Sequence, residues 1–159
     1  MVGEKIKVLN RQIVEANAAL LRIGHVPMQA RTAYWMGRNF DQINPVAKKL
    51  EKERGEIIKK YGVKNEDTGA FNLPMTVDHA TEKGADGKPK QIPNPNVEKA
   101  GEEFEAILDQ EVEVEIMKVN IDGFQGTVGL GDMQALGFLI AEDVSSNVIQ
   151  LPPGGRILR

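Results

Sequence analysis

QARTAYWMGRNFDQINPVAKKLEKERGEIIKKY, residues 29–61, decides how this chain is put together. Ala33, Met36, Phe40, Ile43, Ala47, Leu50, Arg54, Ile57 and Tyr61 follow one another at alternating steps of three and four, a heptad seam with one polar breaker, Arg54. Spacing of this kind predicts a long helix packed against a second helix at a shallow angle, as in a helical hairpin or a coiled coil. Pro45 opposes it, because a proline inside a helix loses a hydrogen bond and crowds the preceding turn. Asn44-Pro45 is also a good cap followed by proline at the first helical position, so two helices meeting at Asn44 are the alternative. The seam keeps its phase across the proline, which favours one kinked helix or two nearly collinear ones. Tyr61-Gly62 ends it.

The partner for the seam lies downstream. Asn94-Pro95 repeats the cap-and-proline pattern and opens a helix to about Gln110, with Val97, Gly101, Phe104 and Leu108 on one side and Glu98, Glu102, Glu103, Glu105 and Asp109 making it acidic. Residues 1–64 hold 13 Lys/Arg against 6 Asp/Glu and the remainder 7 against 17, giving +7 and −10 within a net charge of −3. Opposite halves attract when they pack, so antiparallel pairing of the two helices is expected, with Arg54 finding Glu98, Glu102 or Glu105. The same asymmetry raises nucleic-acid binding by Lys48, Lys52 and Lys59. Interleaved glutamates at helical spacing favour an ordinary charged surface instead.

Outside these helices, EKIKVL (residues 4–9) predicts a strand with Ile6 and Val8 inward, and Asn10 is expected to cap a helix whose face is Ile13, Ala16, Leu20 and Ile23, stopping at Gly24. EVEVEI, from 111, alternates cleanly, with Val112, Val114 and Ile116 on one face and three glutamates on the other. Val119 and Ile121 shift the apolar parity, which predicts a bulge or a strand that leaves one environment for another. Residues 63–96 show no sustained period and are expected to be a long loop insertion with a small hairpin turn at Asp86-Gly87. A glycine-rich turn from Gly123 precedes a short apolar helix carrying Met133, Leu136, Leu139 and Ile140. The expected fold class is α+β, mainly helical, with a long antiparallel helical hairpin and a small two- or three-stranded sheet. The expected organisation is one domain over 1–142 and an extended C-terminal tail over 143–159.

Chemistry is sparse in this sequence. Having no cysteine, the chain has no disulfide, thiolate metal site or cysteine nucleophile. No apolar run reaches signal-peptide or membrane-spanning length, so neither export nor membrane insertion is expected. His25 has no metal-type residue three or four positions away, and Asp78 and Glu82 stand close to His79 in the chain, where neighbouring side chains rarely converge on one ion. The exposed acids have no apolar pocket that would raise a pKa for acid–base work, and Ser145 and Ser146 lie far along the chain from either histidine. Gly129 and Gly131 precede a helix as in a phosphate loop, but Gln134 stands where the third glycine of the dinucleotide motif would be, and no Walker lysine follows. No catalytic residue, metal or cofactor is therefore expected. The dense patch around Tyr34, Trp35 and Arg38 suits either the core or an interface, since aromatic anchors concentrate at interface centres. With Arg54 and the apolar tail residues Leu151, Ile157 and Leu158, these make up the interface candidates.

The succession of a short strand, VLNRQIVEANAALLRIG, a proline-containing connector, KKLEKERGEIIKKYG, a loop, GEEFEAILDQEVEVEI and LGDMQALGFLIAE resembles a family of small, mostly uncharacterised tailed-bacteriophage proteins. The similarity covers roughly residues 5–142 and carries no catalytic residue with it. The turn from Gly84 to Pro95 and the tail after Glu142 depart from the family pattern. What the resemblance implies is a non-enzymatic phage protein that binds other proteins, as a minor head or tail component or an assembly factor. The alternative is an intracellular effector that inhibits or sequesters a host or anti-phage defence component. Expected partners are itself, as a homo-oligomer, and other phage proteins; membrane, nucleic acid and small-molecule ligands are not expected. The expected location is the host cytoplasm during infection, or the virion.

Overall fold

The computed structural model describes residues 3–141. The chain is α+β, with most of its regular structure helical and its strands in small antiparallel pairs. In order these are β1 (Glu4–Leu9), α1 (Asn10–Ile23), α2 (Ala30–Tyr61), β2 (Val63–Lys64), β3 (Phe71–Asn72), β4 (Thr76–Lys83), β5 (Pro89–Pro93), α3 (Pro95–Leu108), β6 (Glu111–Ile116) and α4 (Leu130–Ala135). The tail candidates Leu151, Ile157 and Leu158 lie outside the described residues, as do Ser145 and Ser146.

The seam helix runs unbroken through Pro45. Pro45 and Asp41, whose carbonyl loses its donor to the proline, are both exposed, so the missing bond falls on the solvent side of the helix. Met36, Ile43, Leu50 and Ile57, one residue per heptad, are buried. The alternate row differs from the even seam expected: Phe40, Ala47 and Tyr61 are half-buried, and Ala33 and Arg54 are exposed. The sheet explains the unevenness, because α2 packs on α1, on α3 and on β6, and its apolar side must serve all three.

β1 and β6 pair antiparallel, with Ile6 opposite Val114 and Val8 opposite Val112. Their inner face meets Ile13, Leu20, Ile43 and Leu50 in the main core. The outer face is a ladder of opposite charges, Lys5 across from Glu115 and Lys7 from Glu113. Val119 keeps its place in the core through an isolated parallel bridge to Ile140, whereas Ile121 enters a 3-10 turn and is exposed.

Residues 63–96 are not one long loop. They fold into β2–β3 and the β4–β5 hairpin, whose turn uses Gly87 at φ +76, a left-handed conformation that glycine adopts without a steric penalty. His79 sits in β4 and not in a loop: its Nδ1 accepts from the backbone N–H of Thr81 and Glu82 (3.3 and 2.9 Å) where the strand register shifts.

Three buried asparagines fasten the elements together. Asn39 on α2 bonds both backbone groups of Met117: its Nδ2 donates to the carbonyl and its Oδ1 accepts from the N–H, both at 2.8 Å. Asn94 caps α3 by accepting from Asn96 N–H (3.0 Å), and its Nδ2 donates to the Pro74 carbonyl (2.8 Å). Asn10 was expected as a cap but lies inside α1. Its Nδ2 donates to the Ile107 carbonyl (2.9 Å) and joins α1 to the end of α3, while the Leu9 N–H donates to Gln12 Oε1.

Part of the charge asymmetry is met between the two halves of the chain. Arg11 reaches Glu105 (2.5 Å) and Asp109 (3.0 Å), Arg22 reaches Asp132 (2.6 Å), and Lys60 and Tyr61 both donate to Glu103 Oε1 (2.6 and 2.5 Å). The hydrogen bond from Lys60, then that from Tyr61, lowers the Glu103 pKa; the bond to Glu103 in turn raises that of Lys60. A carboxyl depressed in the folded state adds stability above its unfolded pKa and loses it as pH falls through the folded one. Glu103→Gln is therefore expected to lower Tm at pH 7, with the two melting curves converging as the pH drops below the ordinary glutamate range. Thermal melts from pH 7 to pH 2 check this, and a constant gap at every pH would contradict it.

Candidate docking groove

Gly24 closes α1 and a short connector returns the chain into α2, so the two helices lie side by side at their joined ends. Gly24 does so in a right-handed helical conformation, φ −57, and not as a left-handed stop. The connector is tied down from behind. Gln29 N–H donates to the Gly123 carbonyl (2.8 Å), Gln125 N–H donates to the Pro27 carbonyl (2.8 Å), and Met28 bridges to Phe124. On another face of α1, Arg22 holds α4 through Asp132. A helix pair braced in this way keeps its surface in one shape.

That surface is a concavity of about 360 Å³ between α1 and α2, lined by Leu20, Leu21, Met28, Met36, Gly37 and Phe40 among others, with no charged side chain in the lining. Leu21 stands at it 63% exposed. Gly37 lies exposed along it, and a Cβ built there meets nothing within 4 Å. Burying apolar surface at roughly 25 cal/mol per Å² is the only large free-energy term such a groove offers. It lacks the convergent polar groups that orient a small ligand, and suits apolar side chains of a protein.

Of the candidate residues, Tyr34 and Trp35 lie one turn or less from Gly37. Tyr34 is 60% exposed, and Trp35 is half-buried against the core, their rings edge-to-face at 4.9 Å. Arg38 is exposed beside Gly37. Arg54 is elsewhere, near the other end of α2. Its expected partners on α3 are replaced by Glu51 of its own helix (3.3 Å), and it rims a second concavity of about 390 Å³ with Ile57, Ile58, Phe71 and Phe104. Leu21, Gly37 and Phe40 therefore join Tyr34 and Arg38 as site residues. Phe40 was already part of the heptad seam, whereas the sequence signal of the other two was slight: Leu21 lies off the α1 core face and Gly37 is one glycine within a strong helix.

Among the described residues there is no group of three or more His, Cys, Asp or Glu that could hold a metal, and no helix is long and apolar enough to cross a membrane. His25 is exposed in the connector, and Gly129 precedes only the six-residue α4. Compared with family models, curated proteins and solved structures, the chain matches none.

Proposed function

We propose that this chain is a non-enzymatic tailed-bacteriophage protein that works by protein–protein binding, as a minor head or tail component or an assembly factor. The observation that carries the binding role is the charge-free groove between α1 and α2, with Leu21 and Tyr34 exposed beside it. A braced framework pays little conformational entropy on docking, which favours affinity for a given apolar area. In this reading α2 and α3 form a long helical hairpin that serves as the rigid beam, and the groove is the contact surface at one end of it. The phage setting is supported by the sequence resemblance.

Leu21→Asp tests the reading without touching the core. Proteomics of particles and assembly intermediates purified from infected cells is expected to find the wild-type chain and to find the variant depleted about tenfold or more, as for an interface anchor. Equal recovery of both would remove the groove from the function. Absence of both would remove the virion and assembly role.

A further inference from the structure

We infer that a cavity at the N-terminus of α2 binds a small phosphorylated ligand, with its phosphoryl oxygens on Thr32 and the first turn of the helix and its organic part against Trp35. This cavity, about 270 Å³, lies between the start of α2 and the segment that follows β6, at the small end of the range for small-molecule sites. It is separate from the docking groove, whose lining includes neither Thr32 nor Trp35. Both of its walls are fixed. Gln29 N–H holds the Gly123 carbonyl, and Val119 donates its N–H to Leu139 (2.9 Å) and accepts from Ala141 (2.8 Å).

The first turn of this 32-residue helix has no acidic residue, and among the described residues no side chain caps it. Its leading N–H groups have no acceptor within the helix and carry the positive end of its dipole, which suits an anion. Thr32 is an independent sign of a ligand. It is 7% exposed and lines the cavity, yet its hydroxyl makes no hydrogen bond among the described residues, where buried hydroxyls ordinarily have a partner. The hydroxyl faces Gly123 on the other wall, where a Cβ would collide with Oγ1. Asn17 Oδ1 is the one fully sealed side-chain oxygen without a partner among the described residues, so Thr32 Oγ1 is unpartnered but open to the cavity. Arg31 and Lys118 add two cations to the lining against one acid, Asp122; Lys118 Nζ stands 3.9 Å from Glu4, a loose pair. Donors converging from two walls match the three acceptor oxygens of a phosphoryl group better than the two of a carboxylate. Trp35, half-buried in the same lining, offers an apolar face to the rest of the molecule.

The test is calorimetric titration of the full chain with phenyl phosphate at about 0.15 M ionic strength, read in parallel by the fluorescence of Trp35, the only tryptophan in the sequence. Wild type is expected to bind with a Kd of about 1 mM or below, and to bind inorganic phosphate about tenfold more weakly because that ion leaves Trp35 uncovered. Thr32→Val keeps the side chain's shape and removes a hydroxyl that holds nothing in the fold. Its Tm is expected to stay within about 1 °C of wild type while its Kd rises about tenfold or more. Exposed Lys118→Gln should raise the Kd about threefold, and Asp122→Asn, which removes the opposing charge, should lower it by about as much. Phenol, without the phosphoryl group, should not bind. No saturable heat with phenyl phosphate, heat without a change at Trp35, equal binding by wild type and Thr32→Val, or equal binding of phenol overturns the inference.

Discussion

Asn39→Leu is expected to lower the unfolding free energy by about 3–5 kcal/mol. Asn39 is 1% exposed and satisfies both backbone groups of Met117, where the chain leaves β6. Leucine has similar bulk but no hydrogen-bonding group, so the substitution removes two bonds and strands a donor and an acceptor on half-buried Met117. Each orphan costs about 1–3 kcal/mol, and dry isosteric packing returns only part of it. Asn39→Asp separates the two contributions: its carboxylate still accepts from the Met117 N–H but faces the Met117 carbonyl without a donor. Chemical denaturation of the three proteins measures this, and a loss under about 1 kcal/mol for leucine would show that Met117 finds other partners.

Gly62→Val is expected to cost about 2–4 kcal/mol and to release the β2–β3 hairpin from the end of α2. The backbone of Gly62 is ordinary, with φ at −87, so the need for glycine is steric. A Cβ there would stand 2.5 Å from the Ile58 carbonyl oxygen and 2.6 Å from that of Asn72. Both are backbone atoms, one in a helix and one in a strand, and neither can swing aside as a side chain would. Hydrogen exchange is expected to show faster exchange over residues 63–72 than in wild type, with α1 and β6 unchanged. Uniform acceleration across the chain would mean that Gly62 supports the whole fold and not this junction.

The elements set by local period were legible in the sequence. Ile13, Ala16, Leu20 and Ile23 marked the buried face of α1, Val112 to Ile116 marked β6, and the heptad spacing of Met36, Ile43, Leu50 and Ile57 marked α2. Asn94-Pro95 announced the start of α3 correctly, because capping is decided within a few residues. The failures share a different cause. Asn10 reads locally as a cap, but its bond runs to a residue 97 positions away, and the role of Asn39 went unseen because its partner is 78 positions away. Long-range bonds of this kind leave no periodic trace. Arg54 was expected to reach across to α3, and a carboxylate one turn away on its own helix satisfies it first. Residues 63–96 read as loop because two of their strands are only two residues long.

The candidate site divides along the same line. Tyr34, Trp35 and Arg38 stood out by residue type, whereas the groove beside them exists only because α1 returns against α2 and leaves Gly37 uncovered.

Oxidative footprinting of the intact chain tests the docking groove most directly, comparing high dilution with the assembled form recovered from infected cells. Leu21 and Tyr34 are expected to lose most of their reactivity on assembly, while Met75, 71% exposed at the foot of the β4–β5 hairpin, stays as reactive as before. Protection of Met75 with Leu21 and Tyr34 unchanged would place the interface on the hairpin and contradict the account.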